Sequence, residues 1–132
     1  MTEVVDFPDL ALMAVEAKID TGAYTSALHC KDVCLFETEH ETILSFCVIE
    51  PGGSLTRRIY SDTFTQRIIK NSFGVAEKRY VIKTKIVLFG RKIRAEFTLA
   101  DREQMRYPVL LGRKLLRNRF IVDVSQKNLS TD

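Results

Sequence analysis

No apolar run in this sequence is long enough to cross a bilayer as a helix. The best, residues 10–15, falls far short of the ~20 residues a span needs and lacks signal-peptide flanks. Histidine is scarce. His29 and His40 are the only two, and no His-Glu-x-x-His pair is present. No glycine-rich segment precedes a Lys-Ser or Lys-Thr step, so ATP finds no phosphate loop, and Gly52-Gly53 merely closes a turn after Pro51. The three cysteines, Cys30, Cys34 and Cys47, are an odd set and suggest no disulfide framework. A reducing compartment is expected, and with no basic leader around Thr2, Glu3 and Asp6, a cytoplasmic location. Neither sign of charge dominates: 20 Lys and Arg against 17 Asp and Glu leave +3. That balance, without clear aromatic platforms, argues against nucleic acid and permits an acidic partner.

Linkers, repeats and low-complexity blocks are also missing, so residues 1–132 read as a single domain. With 45% apolar and 28% charged residues the chain is an ordinary globule, able to bury about two-thirds of its unfolded surface. Most segments show a period of two. Met13, Val15, Ala17 and Ile19 alternate with Ala14, Glu16 and Lys18, which predicts a strand with one buried face. A helix over residues 10–18 is the alternative, and the strand is preferred because Asp-Thr-Gly follows the alternation directly. Residues 43–49 form a second apolar run closed by Glu50-Pro51-Gly52-Gly53, and residues 56–69 are β-rich. Asn71-Ser72-Phe73-Gly74 marks a turn. Residues 79–88 and the alternating Ile93, Ala95, Phe97 and Leu99 predict a hairpin around Gly90-Arg91. A charged loop over 101–106, a short strand after Pro108, one or two helical turns over 114–118 and a last strand over 120–124 complete an all-β pattern.

Two elements carry chemistry. Lys18-Ile19-Asp20-Thr21-Gly22-Ala23 places one carboxylate on a tight turn after an apolar strand. Gly22 permits a bend that a side chain would obstruct, and a nearby N–H or the Thr21 hydroxyl can hold the Asp20 carboxylate. Alone, this is also what an ordinary strand-closing turn looks like. Near the other end, Val109-Leu110-Leu111-Gly112-Arg113-Lys114-Leu115-Leu116 is an apolar strand running through glycine into a short helix.

Together these stretches resemble the catalytic turn and the closing strand and helix of retropepsin-like aspartic proteases. The resemblance is closer to a bacterial family, the RimB-type proteins, long labelled ATP-dependent zinc proteases. It is carried by residues 17–23, by Thr25-Ser26-Ala27-Leu28-His29, by Arg79-Tyr80-Val81-Ile82, by Leu111-Gly112-Arg113 and by Phe120-Ile121-Val122-Asp123, and it spans a core of about 13–124. It implies a closed six-stranded-type barrel of the acid-protease kind with one short C-terminal helix. It also implies a homodimer and an aspartic endopeptidase or amide hydrolase. Asp20 from each chain would share a proton across a two-fold axis and activate water. Thr21, Gly22, Ala23, Ser26 and His29 would support that loop, with Leu111, Gly112 and Arg113 as the core beneath it. A functional link to a glutamate ligase and trimming of glutamate-rich tails follow from the family. The alternative is a non-catalytic peptide-binding protein on the same fold.

Two departures stand out. Many retropepsins carry an aspartate where this chain has Tyr24, so its usual ion pair with the Arg113 position is not available. The expected flap, residues 68–79, has Gly74 alone and carries Lys70, Glu77, Lys78 and Arg79; closing over substrate, its cations Lys70, Lys78 and Arg79 would favour acidic peptides, and the alternative is a solvated charged turn. No cofactor and no metal is expected. His29, Cys30 and Cys34 are near one another, but on a strand His29 and Cys30 point to opposite faces.

Overall fold

The computed structural model describes residues 1–49, 56–70, 73–101 and 107–117. Nine strands run through them: β1 (Thr2–Phe7), β2 (Leu12–Ile19), β3 (Ser26–Glu37), β4 (Thr42–Ile49), β5 (Thr56–Ser61), β6 (Thr65–Lys70), β7 (Ala76–Leu88), β8 (Arg91–Ala100) and β9 (Val109–Leu111). One short helix, α1 (Arg113–Leu116), follows. Six strands close a barrel in the order β3-β8-β7-β1-β2-β9, with β9 returning to β3. β4 and β5 extend the sheet beyond β3, and β6 pairs with β7. This is the all-β fold the strand pattern predicted and the acid-protease-like barrel the family resemblance implied. The expected turn at 50–53, the loop at 102–106 and the last strand at 120–124 lie outside the described residues.

The β7–β8 hairpin forms where alternation predicts it, one residue earlier at its tip. Phe89 (φ 53°) and Gly90 (φ 71°) both take positive φ, the combination that lets a two-residue turn match strand twist. On β2 the alternation is broken by Ala14, at φ 56°. Val5 pairs with Val15 but Phe7 pairs with Leu12, so the register shifts at this bulge. The Ala14 N–H donates to the Asp6 carboxylate at 2.8 Å. In consequence Leu12 is buried and Met13, expected inside, faces solvent.

The barrel is filled by side chains from every strand that closes it. Phe7 and Phe97 meet edge to face at 5.2 Å between ring centres, beside the fully buried Leu28, Ile86 and Leu111. β9 is the seam. It runs parallel to β2 (Ile19 opposite Leu111) and antiparallel to β3 (Ala27 opposite Leu110). Those pairings bring the turn after β2 and the glycine after β9 to the same end of the barrel.

Candidate functional site

The turn after β2 is tied down by its own backbone. The Asp20 N–H donates to the Leu111 carbonyl at 2.9 Å, which continues the β2–β9 pairing by one residue. The Asp20 Oδ1 accepts the Gly22 N–H at 3.0 Å, and the Ala23 N–H donates to the Asp20 carbonyl at 3.2 Å. The carboxylate therefore closes an Asx-type turn. Thr21 and Gly22 are exposed and Asp20 is half-buried.

The segment after β9 locks against that turn. Gly112 is buried, and a Cβ there would lie 2.7 Å from the Thr25 carbonyl carbon and from the Thr25 and Tyr24 carbonyl oxygens. Only glycine lets the two segments approach so closely. Its N–H donates to the buried Ser26 hydroxyl at 3.0 Å. The Arg113 and Lys114 N–H groups donate to the Ala23 and Tyr24 carbonyls, both at 2.9 Å. Tyr24 replaces the expected acid with a ring. The Arg113 guanidinium lies 5.7 Å from that ring's centre and donates to the Thr21 carbonyl at 2.9 Å. Asp20, Thr21, Gly22, Ala23, Ser26, Leu111, Gly112 and Arg113 thus form one cluster.

The other expected site residues lie elsewhere. His29 is buried on β3, with Nδ1 3.2 Å from the Ala100 carbonyl and its backbone N–H on the Pro108 carbonyl. It braces the end of β8 and not the turn. Gly74 (φ 80°) lies between β6 and β7, Lys78 is exposed, and Arg79 is paired with Glu77 at 2.8 Å. Lys70 ends β6, and its side chain is outside the described residues. Among the described residues no group of three His, Cys, Asp or Glu could hold a metal ion. Burial and the nearby Asp101 charge push the Cys30 thiol up to about 12.

A second site was not read from the sequence. Beside α1 there is a cavity of about 250 Å³. Thr25 and Ser26 of the turn cluster line one part of it, and among the described residues its charged lining is four cations, Arg67, Lys83, Arg94 and Lys114, and one carboxylate, Glu96. Arg67 and Lys114 hold Glu96 at 2.7 and 3.1 Å, and Lys83 stands at 3.9 Å. Burial pushes the Glu96 carboxyl up. The hydrogen bonds and charges of Arg67 and Lys114 outweigh it and hold the group below its ordinary value. Four elements contribute these residues, so no local motif announces them. The available signal was the outward parity of Lys83 on β7 with Arg94 and Glu96 on β8.

A closed six-stranded barrel with an Asp-Thr-Gly turn wedged against a Gly-Arg step defines the retropepsin-like class. The family model described as RimB-like, "Retropepsin-like aspartic endopeptidase RimB", matches residues 1–132, and the chain belongs to that family. A solved structure of Lpg0085 from Legionella pneumophila, a protein described as of unknown function, superposes with a TM-score of 0.76. It covers 98% of this chain and 94% of that one at 23% identity, which shows the shared fold. Among curated proteins, the chain is 38% identical over 122 residues to a "Probable alpha-L-glutamate ligase" of Shewanella pealeana, covering 91% of this chain and 27% of that protein. The same description belongs to relatives from Parasynechococcus marenigrum (36% over 123 residues, 92% and 26%) and Desulfotalea psychrophila (35% over 123 residues, 92% and 26%). The chain spans about a quarter of the length of these relatives.

These relatives correct the functional expectation. Four proteins 35–38% identical across more than nine-tenths of the chain are named for joining glutamate and not for cleaving peptides. The expectation of an aspartic endopeptidase or amide hydrolase therefore does not stand. The physical reason is general: a fold and one turn motif do not fix a reaction. Among the described residues no helix is long and apolar enough to cross a membrane.

Proposed function

We propose that this chain is an accessory domain of α-L-glutamate ligation, one that holds the glutamate-rich polypeptide on which a ligase acts. The observation that carries the reading is the cavity over β7 and β8. Its four cations against one carboxylate favour an acidic chain, and two of them already grip a glutamate side chain, Glu96, at 2.7 and 3.1 Å. The names of the relatives supply the context, and the position of this domain as about a quarter of each fits a subordinate role beside the ligating unit. The homodimer implied by the resemblance belongs to the same proposal, with the exposed Thr21–Gly22 turn as the surface it would use. Free Cys30, Cys34 and Cys47 support a reducing, cytoplasmic setting.

The test is binding of fluorescently labelled oligo-L-glutamate by anisotropy at low salt, with oligo-L-lysine as the control. The expected result is salt-sensitive binding of the glutamate chain alone. A companion assay adds this chain to a purified α-L-glutamate ligase and reads the length of the glutamate tails produced. No binding of oligo-L-glutamate, together with unchanged tail lengths, would end this reading.

A further inference from the structure

The outer face of the β7–β8 hairpin is rich in cations. Along β8 the outward positions are Lys92, Arg94 and Glu96, and they stand opposite Val87, Lys85 and Lys83 on β7. Lys85 therefore faces Arg94 in register, a like-charge pair that a folded sheet tolerates at a cost. Arg94 is exposed and has no ion-pair or hydrogen-bond partner among the described residues. The only acid in this row is Glu96, and three cations from β6, β7 and α1 converge on it.

We infer that Glu96 is a built-in occupant of a carboxylate-binding site, and that a glutamate side chain of an incoming polypeptide displaces it after first meeting Arg94. The inference rests on the proposed function for the class of ligand and adds how the site is filled when that ligand is absent. Its argument is geometric. The cations converge on a carboxylate of the chain itself, so the site is already shaped for that group. Arg67 presents a planar guanidinium to it, and Lys83 and Lys114 add point charges. The cavity walls include Val81, Ala95 and Leu115, which suit the two methylenes of glutamate. Its volume of about 250 Å³ is many times the ~10–15 Å³ that a single water needs on the same measure, room for one extended side chain. Among the described residues the lining has no aromatic ring on which a nucleobase could stack, which favours an acidic polypeptide over RNA.

Glu96 as an internal competitor and Glu96 as a fixed part of the site predict opposite signs. If Glu96 competes, its removal frees three cations. The full chain carrying Glu96→Gln should then bind oligo-L-glutamate about three- to tenfold more tightly than the parent at low salt. Arg94→Ala should bind several-fold more weakly, and thermal melts of each variant would confirm that it is folded. Competition with an RNA oligomer of matched charge and with inorganic phosphate reports the chemistry of the site. Oligo-L-glutamate should displace the label best. Binding by the parent with E96Q unchanged or weaker overturns this inference and leaves the proposed function standing. Displacement by RNA ahead of oligo-L-glutamate overturns the carboxylate assignment. Absence of binding by parent, E96Q and R94A alike sinks both.

Discussion

Replacing Gly112 with alanine should damage the protein through space alone. The backbone there (φ −89°, ψ 174°) is one that alanine adopts freely, so no conformational strain is introduced. The added methyl instead meets three backbone atoms of Tyr24 and Thr25 at 2.7 Å. Ordinary contact begins near 3.4 Å, so the two segments must part by about 0.7 Å. They are held by the Gly112–Ser26 bond and by the bonds from Arg113 and Lys114 to Ala23 and Tyr24, and separation strains all three. Overpacking of this kind costs ~1–3 kcal/mol. Weakening one or two hydrogen bonds adds ~1 kcal/mol or slightly more. The sum, roughly 2–4 kcal/mol, corresponds to a fall in Tm on the order of 10 °C for a chain of this length. Urea unfolding followed by far-UV circular dichroism gives the free energy, and a thermal melt gives the shift. Ser26→Ala serves as comparison. It leaves the Gly112 N–H without its acceptor and should cost ~1–3 kcal/mol. A Gly112→Ala protein within about 0.5 kcal/mol of the parent, the usual scatter for a neutral surface change, would refute the close-approach argument.

Three further outcomes are expected. Ala14→Gly should stabilise the protein or leave it unchanged, because relief of the left-handed backbone (~1 kcal/mol or more) offsets the added flexibility of glycine; clear destabilisation in urea would contradict the bulge. A thiol reagent followed by mass spectrometry should modify exposed Cys34 first and half-buried Cys47 more slowly. Cys30, buried and with its thiol pushed to about 12, should react only on unfolding, and early modification of Cys30 would be the adverse result. Glu96 is held below its ordinary value of 4.5 in the native protein, so the unfolded chain takes up its proton first as pH falls. Its stabilising contribution is complete above 4.5 and fades in more acid solution, so the stability gap between the parent and E96Q should close there. Urea midpoints measured across that range check this, and a gap that persists in acid rules the network out.

Local order was legible wherever one strand decided its own pattern. The β7–β8 hairpin shows its alternation and its glycine, and the Asp20 turn shows its residues in a row. β1 was invisible because Glu3, 1% exposed, occupies an inward position between residues that otherwise alternate correctly. On β2 the strand was read but its first inward residue was not, since a bulge cannot be seen without its partner strand. The helical turns expected over 114–118 appear as α1, Arg113–Leu116. The cation-lined cavity escaped because Arg67, Lys83, Glu96 and Lys114 come from four elements and each alone looks like a solvated surface charge. The activity was the least legible part. Asp20, Gly112 and Arg113 identify a fold and a turn, and a fold does not fix a reaction: the relatives that overturn the peptidase expectation are named for glutamate ligation.

The seam strand β9 has a kinetic consequence. Its neighbours β2 and β3 are made about eighty or more residues earlier in the chain, and each keeps an unpaired edge until Val109–Leu111 arrives. Closure is a late, long-range event, so folding should be slow for a protein of this size. A ribosome-bound chain halted before that segment would display two open edges ready to capture another polypeptide, which makes premature termination a route to aggregation.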